Sequence, residues 1–267
     1  MISRIDDATR VFKQNIQAVL QLSDLDRGLL DFVIRSLGER DERLRKAGTE
    51  NARMLAGSTV KHLKNVRQND SLRPGFQVLV NQSVVLLASH FASGVSQLFR
   101  VAIAAALEGE PSDYLRNLQL KLPVAELAEL GSELREALPD LVAESPGISF
   151  QDTKSIARTF SEFFGFEIPR DEVTNEIIAG LAFRHVLAHN GGIVDRQCIR
   201  QIAQAMPRTL RPLVTLGESL NFATEEISVL ADAMVEYVQR LAKELKETSS
   251  MASVQLSDAT TSVEAPR

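Results

Sequence analysis

Tryptophan is missing from this chain, tyrosine occurs twice, and the 267 residues hold one cysteine, Cys198. A lone thiol excludes an internal disulfide and gives no basis for a cysteine-built zinc cluster. The simple expectation is a buried core thiol in a reducing compartment. A basic excess is also missing: 35 Asp and Glu against 30 Lys and Arg leave a net charge of −5. That argues against a dedicated duplex-DNA binder, which carries a broad basic footprint, but leaves room for local basic patches. The opening residues, MISRIDDATRVFKQ, lack the apolar core of a signal peptide. The most apolar stretch, 84–107, is interrupted by Ser89, His90, Ser93, Gly94, Ser96, Gln97 and Arg100. A bilayer span is cleaner than this over ~20 residues, so the stretch reads as a buried helix. The expectation is a cytoplasmic protein without a membrane segment. The common catalytic signatures are missing too: P-loop, dinucleotide fingerprint, HExxH, GxSxG and CxxC. So are strand alternation and any repeat of 20–50 residues.

What is present is helix-forming material. Apolar residues make up 44% of the chain, with alanine, leucine and charged residues dominant. Ile5, Phe12, Ile16, Val19 and Leu20 form an apolar stripe over a first helix at 3–22. Ser23 and Asp24 offer cap chemistry for a second helix, with Leu29, Leu30, Val33, Ile34 and Leu37 as its buried face. Residues 35–67 hold nine Lys and Arg against four Asp and Glu, and read as a solvated helical arm or a partner surface. The turn-rich stretch 68–75 is the expected domain boundary. Beyond it, 76–107 is apolar nearly all round and belongs at the centre of a bundle. Helices are expected at 124–138, after Asp152 to Phe164, from Pro169 to about His189, and from Asp195 to Ala205. A last one is capped by Thr224, with Ile227, Leu230, Met234, Val238, Leu241 and Leu245 on one face. From Thr248 the sequence reads as a disordered tail. The fold class is all-α: an N-terminal helical extension (1–70), a helical bundle (76–247) and the tail (248–267).

One string stands apart, FRHVLAHNGGIVD at 183–195. Arg184 and His189 have four residues between them, at the end of a helix that Asn190-Gly191-Gly192 should stop. Nearby charge is basic, with Arg196, Arg200, Arg208 and Arg211 against Asp195. The run Arg184-His185-Val186-Leu187-Ala188-His189-Asn190-Gly191 resembles the Arg-x4-His motif of the HEPN superfamily, in which a polar residue, here His185, typically follows the Arg. The order of a long apolar helix, intermediate helices, a motif helix and a closing helix is similar as well. The resemblance covers about residues 76–246.

The resemblance implies a HEPN-like bundle and a metal-independent, cofactor-free endoribonuclease, with Arg184 and His189 catalytic and His185 and Asn190 supporting. It implies a homodimer in which two motif helices face one cleft. It also implies a place in bacterial stress response or anti-phage defence, with an antitoxin or other regulatory protein as a further partner. Other members of the superfamily are catalytically silent modules that bind RNA or protein. Arg196 and Arg200 are candidate RNA contacts.

The residue chemistry is compatible with that. RNA brings its own nucleophile, the 2′-hydroxyl. An enzyme must add a proton acceptor, a proton donor and positive charge on the phosphate. Histidine exchanges protons near neutral pH, and arginine grips two phosphate oxygens at once. Geometry resists the simplest version, because a five-residue step on a regular helix leaves Arg184 and His189 ~140° apart. His185 and His189 share a face instead. A two-fold dimer or an unwound turn at His189 would each reconcile the motif with one cleft.

Plainer readings stand beside these. His185 and His189 have the spacing of a metal pair but no third ligand in sequence. Arg184 could pair with Glu176 or Asp195 as a structural tie. His90 reads as a core histidine or a helper beside the motif, His62 as solvated, and Asn190 as a helix stop.

Overall fold

The long apolar run becomes the central helix of the molecule. The structure, a computed structural model, describes residues 1–48, 50–69, 75–109, 111–205 and 213–261. Its helices are α1 (Ile2–Ser23), α2 (Leu25–Lys46), α3 (Glu50–Gln68), α4 (Phe76–Glu108), α5 (Asp113–Asn117), α6 (Val124–Leu130), α7 (Leu134–Ala143), α8 (Thr153–Phe164), α9 (Glu172–His189), α10 (Arg196–Ile202) and α11 (Thr224–Thr261). Among the described residues the only β pairing is an isolated antiparallel bridge between Ile193 and Ser219. The all-α expectation therefore holds.

Helix α4 packs against α1, α7, α9 and α11. By length and composition it could cross a membrane. In this fold it supplies Val84, Leu87, Phe91, Val95, Leu98, Phe99 and Ile103 to the main core. Phe99 collects an aromatic cluster from Phe150, Phe160, Phe163 and Phe164, and Phe91 meets Tyr237 of α11 edge to face. The stripe expected on α11 is buried in full, from Ile227 to Leu245.

Several boundaries move. Helix α1 is not part of a separate extension: Ile5, Phe12, Ile16 and Val19 lie in the same core as α4 and α11. The α2–α3 hairpin contributes no residue to this core and is clasped by an Arg67–Asp31 ion pair at 2.6 Å. The buried face expected on α2 is corrected, since Leu29 and Val33 are exposed while Leu30, Ile34 and Leu37 are half-buried. The hairpin has one partner helix, so it covers one face only. Asp24 makes no side-chain cap bond, and the Ser23 hydroxyl donates back to the Leu20 carbonyl. The expected helix at 124–138 is split at Gly131, whose φ of +45° suits glycine, and α7 then runs through Pro139 to Ala143. Thr224 is the first residue of α11 rather than its cap; there the Glu226 carboxylate accepts from the Ala223 N–H at 2.7 Å. The α11 backbone continues to Thr261, past the point where a tail was expected, and 262–267 lie outside the described residues.

Two close approaches fix the bundle. A methyl group on Gly94 of α4 would lie 2.6 Å from the Phe12 ring of α1, and one on Gly180 of α9 would lie 2.5 Å from Leu230 of α11. The start of α9 is also set differently from the expectation. Asp171, not Pro169, opens it, and the Asp171 carboxylate accepts from the Thr174 N–H at 3.1 Å. The same carboxylate pairs with Arg240 of α11. Partial burial pushes Asp171 up, but its bonds to Arg240 and Thr174 outweigh this and hold it below the usual carboxylate range.

Gly94→Ala should cost about 1–3 kcal/mol through overpacking against a rigid ring, read as a lower thermal midpoint by circular dichroism. Gly57→Ala, on an open face of α3, should instead stabilise by up to about 1 kcal/mol, the helix propensity of alanine over glycine. Asp171→Asn keeps a good cap residue but removes the charge pair, and should cost a few tenths to about 1 kcal/mol at neutral pH because both partners are partly exposed. A depressed carboxyl stabilises above its unfolded value of about 3.9 and loses that contribution as pH falls through its folded value. The gap between wild type and Asp171→Asn in urea melts should therefore be full above about pH 5 and shrink as pH falls below the unfolded value of about 3.9.

Candidate functional site

The site is built where α9 crosses α4 on a face that lacks large side chains. Ala88, Ser89, Ala92, Ser93 and Ser96 of α4 form the floor of an open cleft of about 700 Å³. Leu181, Arg184 and His185 of α9 form one wall; Glu144 of the α7 end and 148–151 of the connection to α8 form the other, with Gln201 of α10 at the end. A hollow of about 370 Å³ continues past Gln151, Leu181 and Gln201 toward Lys154 and Arg158 of α8.

Two guanidinium groups face the cleft, and they differ. Arg100 is tied down: its Nε lies 2.5 Å from Asp140, and its terminal nitrogens reach Ser96 Oγ at 2.7 Å and Glu144 at 3.4 Å. Arg184 is half-buried and makes no hydrogen bond or ion pair among the described residues. Neither carboxylate offered by the sequence engages it; Asp195 instead caps α10, accepting from the Cys198 N–H at 2.8 Å. The structural-tie reading of Arg184 is thus not supported. Its charge is unspent in an open cavity.

The motif histidines divide. His185 lines the cleft beside Arg184, whereas His189 is exposed and outside the lining. The two rings are 5.1 Å apart, centroid to centroid, as expected for a spacing of four. The alternative of an unwound turn is removed: α9 is helical through His189, and the Asn190 N–H bonds to the Val186 carbonyl at 2.9 Å. No group of three His, Cys, Asp or Glu gathers with metal-binding geometry among the described residues.

The helix stop is held firmly. The Gly192 N–H reaches back to the Val186 carbonyl at 3.1 Å, and Gly191 and Gly192 take φ of +58° and +82°. The Asn190 amide donates to the Ile193 carbonyl at 2.5 Å. Asn190 therefore shapes the turn. Val194 and Leu220 pair their backbones across to Glu218 and Gly192. Below them Ala182, Val186, Val194, Cys198, Ile202 and Leu220 make a second, small core.

Arg196 and Arg200 are exposed on α10 and do not line the cleft; Arg208 and Arg211 lie outside the described residues. His90 is neither a core residue nor a helper at the motif. It is half-buried over a separate groove between α4 and α1, shared with Arg4, Asp7 and Phe12. His62 is exposed on α3. The sequence reading missed Arg100, Gln151 and Gln201. The available signal was the run of small residues, Ala88, Ser89, Ala92, Ser93 and Ser96, along one face of α4.

Comparisons of the chain with protein-family models, with characterised proteins and with solved structures find no match.

Cys198 is fully buried, and burial, reinforced by Asp195, pushes its thiol up to about 11. The native protein at pH 8 should resist alkylation by iodoacetamide over hours and react in denaturant, as read by intact mass. Rapid labelling of the folded state would show that the small core beneath the helix stop opens readily.

Proposed function

We propose that this protein is a HEPN-type, metal-independent endoribonuclease that works in the cytoplasm, and that the cleft between α4 and α9 receives the scissile phosphodiester. The observation that carries this reading is Arg184, a guanidinium without a carboxylate partner, facing an open cavity beside His185 and, through it, His189. A guanidinium in that position is free to take two phosphate oxygens at once.

In the proposed reaction the 2′-oxygen attacks the adjacent phosphorus and its proton passes to an imidazole. The bond to the 5′-oxygen breaks and that oxygen takes a proton from an imidazolium. The products are a 2′,3′-cyclic phosphate and a 5′-hydroxyl. Arg184 stabilises the charge that grows on the non-bridging oxygens. His185 is the imidazole within reach of the cleft. His189 lies one turn away and exchanges protons with it through solvent, or serves the cleft of a second copy across a two-fold axis. Lys154 and Arg158 at the far end of the groove suit the next phosphate along a single strand.

A second reading is favoured by a specific observation, the exclusion of His189 from the lining of the cleft. It is a silent module that binds RNA or protein through the same surface.

The test is cleavage of a mixed RNA pool in EDTA by wild type, Arg184→Ala, His185→Ala and His189→Ala. Arg184→Ala should lose roughly 100- to 1000-fold in rate, the range for one charge-stabilising donor, and Arg184→Lys should restore little of it. Cleavage that survives all three substitutions would refute the site. Binding without cleavage by the wild type would select the silent module.

A further inference from the structure

Cleavage by the 2′-oxygen moves two protons, one from the attacking oxygen and one to the departing 5′-oxygen. Those oxygens stand roughly in line through phosphorus. The two proton carriers must therefore approach the phosphodiester from opposite sides. Helix α9 supplies one imidazole to the cleft, His185, while His189 is outside the lining. A single copy of the chain thus needs a second carrier from another element.

The lining of the cleft offers one candidate. Arg100 and Arg184 stay charged throughout. Apart from Glu144 and His185, the other lining residues are serine, glutamine or apolar, and none of these trades a proton in the neutral range. His185 and Glu144 stand on facing walls, carried by α9 and the end of α7, which both pack on α4. The Glu144 side chain is 70% exposed, so a substrate reaches it. Its Oε1 lies 3.4 Å from a terminal nitrogen of Arg100, and its Oε2 has no partner among the described residues. Arg100 is itself anchored by Asp140 and Ser96. It holds one carboxylate oxygen of Glu144 and leaves the other free. His185 likewise makes no hydrogen bond or ion pair among the described residues.

We propose that Glu144 is the general base of this cleft and His185 its general acid. The Glu144 carboxylate takes the proton of the 2′-hydroxyl as that oxygen bonds to phosphorus. The bond from phosphorus to the 5′-oxygen breaks, and the His185 imidazolium gives that oxygen its proton. The enzyme is left with a carboxylic acid and a neutral imidazole, and exchange with solvent restores both. Arg184 carries the charge on the non-bridging oxygens throughout. The assignment rests on the nuclease reading of the cleft and refines it: a carboxylate replaces one of the two imidazoles, and one copy of the chain holds the whole set.

A sulfur leaving group separates acid from base. An RNA that the wild type cleaves is made again with sulfur in place of the 5′-oxygen at the cleaved linkage, because a thiolate departs without a proton. On the all-oxygen RNA in EDTA, Glu144→Gln and His185→Ala should each lose roughly 100- to 10,000-fold in kcat. Binding of the uncleavable 2′-deoxy analogue should not weaken in Glu144→Gln, since glutamine keeps the shape and an oxygen for Arg100. On the sulfur RNA, His185→Ala should recover most of the wild-type rate and Glu144→Gln should stay as impaired as before. A Glu144→Gln enzyme with the wild-type rate overturns the assignment. So does sulfur rescue of Glu144→Gln, or no rescue of His185→Ala. In each of these cases loss of cleavage in Arg184→Ala leaves the nuclease reading standing, whereas a wild type that cleaves no RNA removes both.

Discussion

The gap between α4 and α9 exists because one face of α4 carries side chains too short to fill it. Helix α4 meets four other helices, and most of its circumference bears valine, leucine and phenylalanine that close the space to interior density. Along Ala88, Ser89, Ala92, Ser93 and Ser96 that filling stops. The backbone of α9 cannot move in to compensate, because Gly180 already brings it against Leu230 of α11 and its C-terminal turn is bonded to 217–220. The spacing is held from the other side as well, by Arg100 bonded to Asp140 and Glu144 of α7. The cleft is thus a void held open by rigid neighbours. Arg184 and His185 project into it as a consequence of where α9 must lie.

The parts legible in the sequence are those governed by a single helix and its own periodicity. The α11 stripe, the α1 stripe, the Asp152 and Asp195 caps and the Asn-Gly-Gly stop are local signals, and each is read correctly from residues three or four apart. The parts that were not legible depend on which helices meet. Nothing local says that α1 packs on α4, so the break at 68–75 reads as a domain boundary although the first helix belongs to the core. Nothing local distinguishes Leu29 from Leu30 either; the sequence marks both as apolar, and only the position of α3 leaves one of them exposed.

The candidate site shows the same division. Periodicity alone gives the separation of Arg184 from His189 and the pairing of His185 with His189, and the structure keeps both relations. The choice between the two histidines needed the opposite wall. Once α4 is in place, His185 is the imidazole in the cleft and His189 the one in solvent. Gln151 and Gln201 were invisible for a related reason, since one comes from a connection and the other from α10, and neither belongs to a motif.

The contrast between Arg100 and Arg184 is the sharpest electrostatic statement the structure makes. Both are on core-packed helices, both face one cavity, and both carry a permanent charge. Arg100 has three oxygen partners and holds α4 to α7. A guanidinium with that many partners has little left to offer a ligand. Arg184 has the reach and the charge but no partner, although Glu144 lines the same cavity. Glu144 contacts Arg100 instead, at 3.4 Å. Arg100 thereby takes up Glu144, and Arg184 is left without an ion pair among the described residues.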